Sequence, residues 1–316
     1  MNLCEKEQDL TSRKKTRFGV IKRNYEFWLL CLPGVIYFLM FHYLPMAGTI
    51  LAFKSYNYTQ GIFGSRWVGF NNFKFFFASM DAWRLTRNTI GYAVLFIIIN
   101  LISAVIFALL LFEVKNRKCI KTYQTVMFLP YFISWVIVGY IAYIFLNSDY
   151  GVLNQLLEAC FGTRVNWYAT PKWWPVILTI VNTWKHIGMN CIMYYAALMG
   201  NDDSIYEAAT IDGAGRWRQA IHISIPSLVP MRTILTIMAV GGIFRSDFGL
   251  FYQVSRDVGA LYPATDVIDT YLYRGLRTGD IGITAAVGLF QSVVGFAMVL
   301  LTNYVVTLIE PDNAMF

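Results

Sequence analysis

Six stretches of this chain carry nearly uninterrupted apolar side chains, and charged or polar residues return between them. A helix needs about 20 mostly apolar residues to cross a bilayer core. The runs that meet this are about Tyr25–Pro45, Thr89–Phe112, Thr125–Leu146, Trp174–Leu198, Ser227–Phe244 and Ile281–Ile309. Polar residues interrupt the fourth. The fifth begins just after Pro226, a residue suited to a first helical turn. The sixth is longer than a bilayer requires and predicts tilt or projection.

An even number of spans puts both termini on one side. The pattern therefore predicts an all-α membrane protein of six transmembrane helices. Its parts are a tail at 1–24, a first span with an outer interfacial segment at 25–85, a five-helix core at 86–310 and a short end at 311–316. Inside the core, the polar loop 200–226 shares a side with the termini and with Glu113–Thr122. The outer side receives Lys54–Arg87, Asn147–Lys172 and Arg245–Asp280. The first of these, with Trp67, Phe70, Phe73, Phe75, Phe76 and Phe77, reads as an aromatic belt at the membrane surface.

Composition agrees with the pattern. Of the 316 residues, 57% are hydrophobic and 14% charged, against about 25% charged in ordinary soluble domains. The net charge of +7 does not mark a nucleic-acid protein. Its basic residues cluster at span edges (Arg13, Lys14, Lys15, Arg17, Lys22 and Arg23; Lys115, Arg117, Lys118 and Lys121), which is the positive-inside bias and places both termini in the cytoplasm. The first apolar run follows a long charged segment and lacks a small-residue cleavage site, so it reads as an uncleaved span. Cys4, Cys31, Cys119, Cys160 and Cys191 have no metal or redox spacing.

The loop 200–226 is unlike a simple connector. Ser204 and Glu207 have the spacing of a capping box. Asp202 and Asp203 supply negative charge to the helix start. Ala208 and Ala209 allow close approach by a partner, and Asp212-Gly213-Ala214-Gly215 breaks the helix. A basic amphipathic stretch with Arg216, Trp217 and Arg218 then leads to Pro226. A plain surface loop explains the polarity but not this combination.

The series Glu207-Ala208-Ala209, three residues, Gly213, nine residues, Ile223-Ser224-Ile225-Pro226 resembles the cytoplasmic loop of inner-membrane permeases in binding-protein-dependent ABC importers. Ile225 stands where that family usually has Leu. Tyr206 and Asp212, with Trp184, Lys185 and Asn190, resemble the carbohydrate-importer branch. Leu32-Pro33-Gly34, His42-Tyr43-Leu44-Pro45-Met46 and Trp67 to Phe73 resemble its subgroup tied to complex oligosaccharides and polysaccharides. The resemblance spans nearly the whole chain and implies the type I (MetI-like) permease fold. It implies that Ser204, Tyr206, Glu207, Ala208, Ala209, Asp212, Gly213 and Pro226 form a coupling element docked on an ATPase. The implied partners are a second permease chain, two ABC ATPases, an extracytoplasmic solute-binding protein and a saccharide.

The sequence offers no chemistry of its own. It lacks the phosphate-binding loop G-x-x-x-x-G-K-[S/T] and H-E-x-x-H, so no cofactor is expected in this chain, ATP and Mg being used by the partner ATPases. The polar residues of the fourth span (Asn182, Trp184, Lys185, His186, Asn190 and Tyr194) suggest a path where amides and a cation bind sugar hydroxyls or carboxylates. Interhelical hydrogen bonding is the other reading. It stays open for Lys185 and is preferred for Asn100 and Gln291. Two other functions remain: the same architecture carrying an amino acid, peptide or anion, or a membrane-embedded glycan or lipid transferase. The transferase would need clustered acids. Its only outer candidates, Asp247, Asp257, Asp266, Asp269 and Asp280, read as solvated loop charges.

Overall fold

The computed structural model describes residues 25–309. The basic cluster Arg13–Arg23, Cys4 and the short end at 311–316 lie outside the described residues. Helix α1 (Tyr25–Phe38) continues through a π-helical segment, Leu39–Tyr43, into a 3-10 segment, Ala47–Phe53, and so runs well past the expected Pro45. A second π-helical segment, Ala220–Ser224, precedes Pro226. Both lie just before a proline, whose ring clashes with the carbonyl four residues back and removes its amide partner.

A hairpin of β1 (Lys54–Ser55) and β2 (Arg66–Trp67) pairs Lys54 with Trp67. Helix α2 (Asn71–Ala78) follows and buries only Phe76, leaving Phe75 and Phe77 exposed as an aromatic belt requires. Helix α3 (Met80–Phe112) starts nine residues before the expected Thr89. Its inner half buries Ala104 and Ala108, small residues one turn apart that let another helix approach closely.

The third apolar run does not form one straight span. It is divided into α4 (Arg117–Phe132) and α5 (Trp135–Leu146), bent by 98° at Ile133–Ser134. Pro130 weakens the end of α4, and the Ser134 hydroxyl accepts the Ile137 amide to start α5. Helix α6 (Val152–Phe161) lies in the outer connection. Helix α7 (Trp174–Leu198) has the expected bounds, with Pro175 in its first turn. After the polar loop with α8 (Asp203–Ile211), α9 begins at Arg216–Gln219 and runs to Ser227. A 55° bend then leads to α10 (Val229–Gly241), three residues short of the expected Phe244. Helix α11 (Ile268–Thr278) precedes α12 (Ile281–Ile309), the expected sixth run.

Among the described residues, three helices are long and apolar enough to cross a membrane, or five if each bent pair is one span. Helix α7 is outside that set because it carries Asn182, Lys185, His186 and Asn190. It is nevertheless central: Leu178, Asn182, Lys185, Gly188, Cys191, Tyr194 and Leu198 recur at helical spacing and are buried, chiefly against α3 and α4. By contrast, Tyr25–Phe38 buries no residue, and the same run packs on α12 only through its 47–53 end.

Candidate functional site

The loop between α7 and α9 is a preformed structure. Asp202, not Ser204, caps α8: its Oδ1 accepts the Ser204 amide at 3.0 Å. This corrects the expected Ser204–Glu207 box. Helix α8 begins at Asp203, so the carboxylate just before it meets the free amides first. That amide also holds the Asp202 carboxyl below its ordinary value. At the other end Gly213 adopts φ +80°. The Ala214 amide reaches Ala209 O at 2.9 Å and the Gly213 amide reaches Thr210 O at 3.1 Å, a Schellman closure that favours glycine.

The loop is tied to the membrane helices. The Asn201 side-chain amide donates to the Tyr206 hydroxyl at 3.1 Å and to Ser227 Oγ at 2.8 Å, and Tyr206 bonds Ser224 Oγ at 3.0 Å. Tyr206 also packs against Phe112 of α3, and Arg216 pairs with Glu113 at 2.8 Å. Glu207, Ala208 and Asp212 remain exposed, Ala209 is half-buried, and Ile211 and Trp217 are 87% and 83% exposed. Rigidly mounted polar residues beside unpartnered apolar ones are a surface suited to a protein partner. Pro226 starts the turn Ile225–Ser227 that joins this element to α10.

A cavity of about 370 Å³ lies between α3, α7 and α10. Asn182, His186, Asn190 and Tyr194 line it, four positions spaced one turn apart on a single stripe of α7. Asn100 faces them and accepts from Asn182 Nδ2 at 3.3 Å and Thr183 Oγ1 at 3.4 Å. It thus makes the expected interhelical bonds and also lines the cavity. The His186 ring donates from Nδ1 to Asn182 O at 3.0 Å, which leaves Nε2 as an acceptor in the neutral ring. Arg245 and Asp247, just beyond α10, complete the lining. The sequence reading missed both, because they lie outside the apolar runs.

Two expected path residues face elsewhere. Lys185 sits on the neighbouring stripe of α7 and is 6% exposed. Its ammonium donates to Pro130 O at 3.2 Å, Tyr131 O at 3.1 Å and Ile133 O, the carbonyls left open where α4 breaks. One turn on, Gly188 packs so closely that a Cβ there would lie 2.1 Å from Met127 O. Trp184 borders a separate apolar cleft with Phe145, Leu153 and Ile180.

The outer acids are not simply solvated, which corrects that expectation. Asp266 is buried and pairs with Arg84 at 2.9 Å and with Arg274, which also holds Asp257 at 2.9 Å. Asn88 and Tyr92 of α3 donate to Asp266 O and Ala264 O, clamping the same segment. Asp269 accepts from Ser246 and from Gln291 of α12, and Asp247 Oδ1 accepts the Gly249 amide. A loop rich in backbone groups near the membrane needs such partners. They are structural ion pairs and caps, with no convergence on one open pocket.

A helical membrane protein with a polar internal cavity and a projecting, preformed helix is built as a transport component. Residues 104–311 match the family of binding-protein-dependent transport system inner membrane components, and the chain belongs to that family. It is 37% identical over 288 residues to protein LplB of Bacillus subtilis (strain 168), covering 91% of this chain and 90% of that one. It is 34% identical to YteP of the same organism, a polygalacturonan/rhamnogalacturonan transport system permease protein, over 92% and 90% of the two chains. A bacterial ABC transporter that imports the acidic polysaccharide alginate has a solved structure whose chain superposes with TM-score 0.85. That match is 33% identical and covers 93% of this chain and 99% of the other. The fold is thus that of an ABC importer permease, and the chain is a transport subunit.

Proposed function

We propose that this chain is one of two transmembrane subunits of an ATP-driven importer that moves an oligosaccharide or polysaccharide delivered by an extracytoplasmic binding protein. The second permease is a different chain, and two ATPases bind on the cytoplasmic side. Six spans, with α7 and each bent pair counted as one, leave both termini in the cytoplasm. The exposed face of α8, with Glu207, Ala208 and Asp212, docks in a cleft of the ATPase, and Gly213 fixes the angle of that lever. Asn182, His186, Asn190 and Tyr194 offer amides, an imidazole and a phenol to sugar hydroxyls along the path. The relatives named for polysaccharide transport support the cargo class.

The observation that carries this reading is α8, capped by Asp202, closed at Gly213 and tied through Tyr206 to α3 and α9. Movement imposed on α8 reaches the cavity-lining helices through those ties. The test is saccharide uptake by the assembled importer in proteoliposomes, comparing wild type with the double variant Glu207→Lys, Gly213→Pro. Proline cannot adopt the φ that Gly213 requires. Uptake is lost while each subunit still assembles; undiminished uptake defeats the reading. A ligand panel offered to the binding protein separates sugars from amino acids, peptides and inorganic anions.

A further inference from the structure

We infer that Arg245 reads a carboxylate on the cargo, so that the imported saccharide is acidic, carrying uronate residues. This rests on the saccharide reading above and narrows it.

Three observations carry it. First, Arg245 lines the cavity formed with Asn182, His186 and Asn190. It follows α10 on the side opposite the polar loop, while α7 runs from that same outer end inward. Arg245 therefore stands at the outer mouth, ahead of the Asn190 and Tyr194 positions. Second, its guanidinium has no hydrogen-bond or ion-pair partner among the described residues. Arg84, Arg164 and Arg274 instead each hold a carboxylate. Third, the acid closest in sequence is already engaged: Asp247 Oδ1 accepts the Gly249 amide at 3.0 Å. An unpaired guanidinium with five donors in a planar fork matches a carboxylate bidentately, and a neutral sugar hydroxyl cannot fill that fork.

The remaining lining suits the rest of such a sugar. The amides of Asn100, Asn182 and Asn190 both donate and accept, and Tyr194 adds a phenol. Among the lining side chains, Arg245 alone carries a fixed positive charge. It thus separates a uronate from the corresponding neutral hexose, whereas the amides accept both.

The test uses the complete importer with its binding protein in proteoliposomes and two cargoes of equal length: a uronate oligosaccharide and its carboxyl-reduced, neutral counterpart. Wild type imports the uronate. Arg245→Gln lowers uronate uptake about tenfold or more, the worth of one charge-assisted pair, and leaves neutral uptake at its wild-type level. Arg245→Lys, which keeps the charge but not the fork, recovers part of the loss. Equal losses for both cargoes in Arg245→Gln show a structural role and overturn the inference, as does unchanged uronate uptake. Import of the neutral cargo alone by wild type overturns it while the saccharide reading stands. If wild type imports neither, the saccharide reading itself falls.

Discussion

Replacing Lys185 with Met tests whether the ammonium acts as a clamp at the helix break or as a contact for cargo. In wild type it bridges three carbonyls at the α4–α5 bend and lies 4.9 Å from the Trp135 ring. Pro130 O also accepts the Ile133 amide at 3.2 Å and keeps a partner without Lys185. Tyr131 O and Ile133 O have no backbone amide partner among the described residues, so Lys185→Met orphans two carbonyls. Each costs about 1–3 kcal/mol, and loss of the cation–π contact adds about 0.5–2 kcal/mol. Removing a charge from the membrane interior returns about 2.5–3.5 kcal/mol. The balance is a destabilisation of about 2 kcal/mol, because two orphaned carbonyls outweigh one relieved charge. Thermal unfolding of the purified complex, followed by tryptophan emission, should show the variant melting a few degrees lower, with uptake falling in parallel. A variant that melts as wild type yet transports nothing would refute the clamp and return Lys185 to the path.

Three further outcomes follow from the same contacts. Gly188→Ala places a methyl against the Met127 backbone, which cannot yield as a side chain could. It should part α4 from α7 at a cost of about 1–3 kcal/mol, read as a lower melting temperature. Asp266→Asn leaves two guanidinium groups without their buried carboxylate and should cost about 3 kcal/mol, measured the same way; the loss is smaller if water reaches Arg84 and Arg274. For Asp202 the folded-state pKa is depressed, so its stabilisation is complete above the unfolded value of 3.8 and is lost as the pH falls through the folded value. Amide exchange over Ser204–Ile211 should therefore accelerate below pH about 4 in wild type, and at every pH in Asp202→Ala.

Much of this molecule is legible in its sequence. Apolar length set α7 and α12 to their observed bounds, and the charge deficit put the chain in a membrane. The spacing from Glu207 through Gly213 to Pro226 marked the projecting element. These are local properties: apolar length, a glycine that tolerates φ +80°, and a proline without an amide act wherever the chain goes. Tertiary structure decided the rest. The 125–146 run has no charge to announce its 98° bend, and the bend persists because Lys185, more than fifty residues later, satisfies the carbonyls it exposes. Sequence could place Lys185 inside the membrane but could not choose between water and a broken helix, since adjoining stripes of α7 face different neighbours. Asn100, Arg245 and Asp247 share one cavity only because α3, α7 and α10 pack around it. Asp266 reads as a loop acid until Arg84 and Arg274 close on it. What a polar side chain does inside a membrane is fixed by the partner it finds, and distant parts of the chain supply that partner.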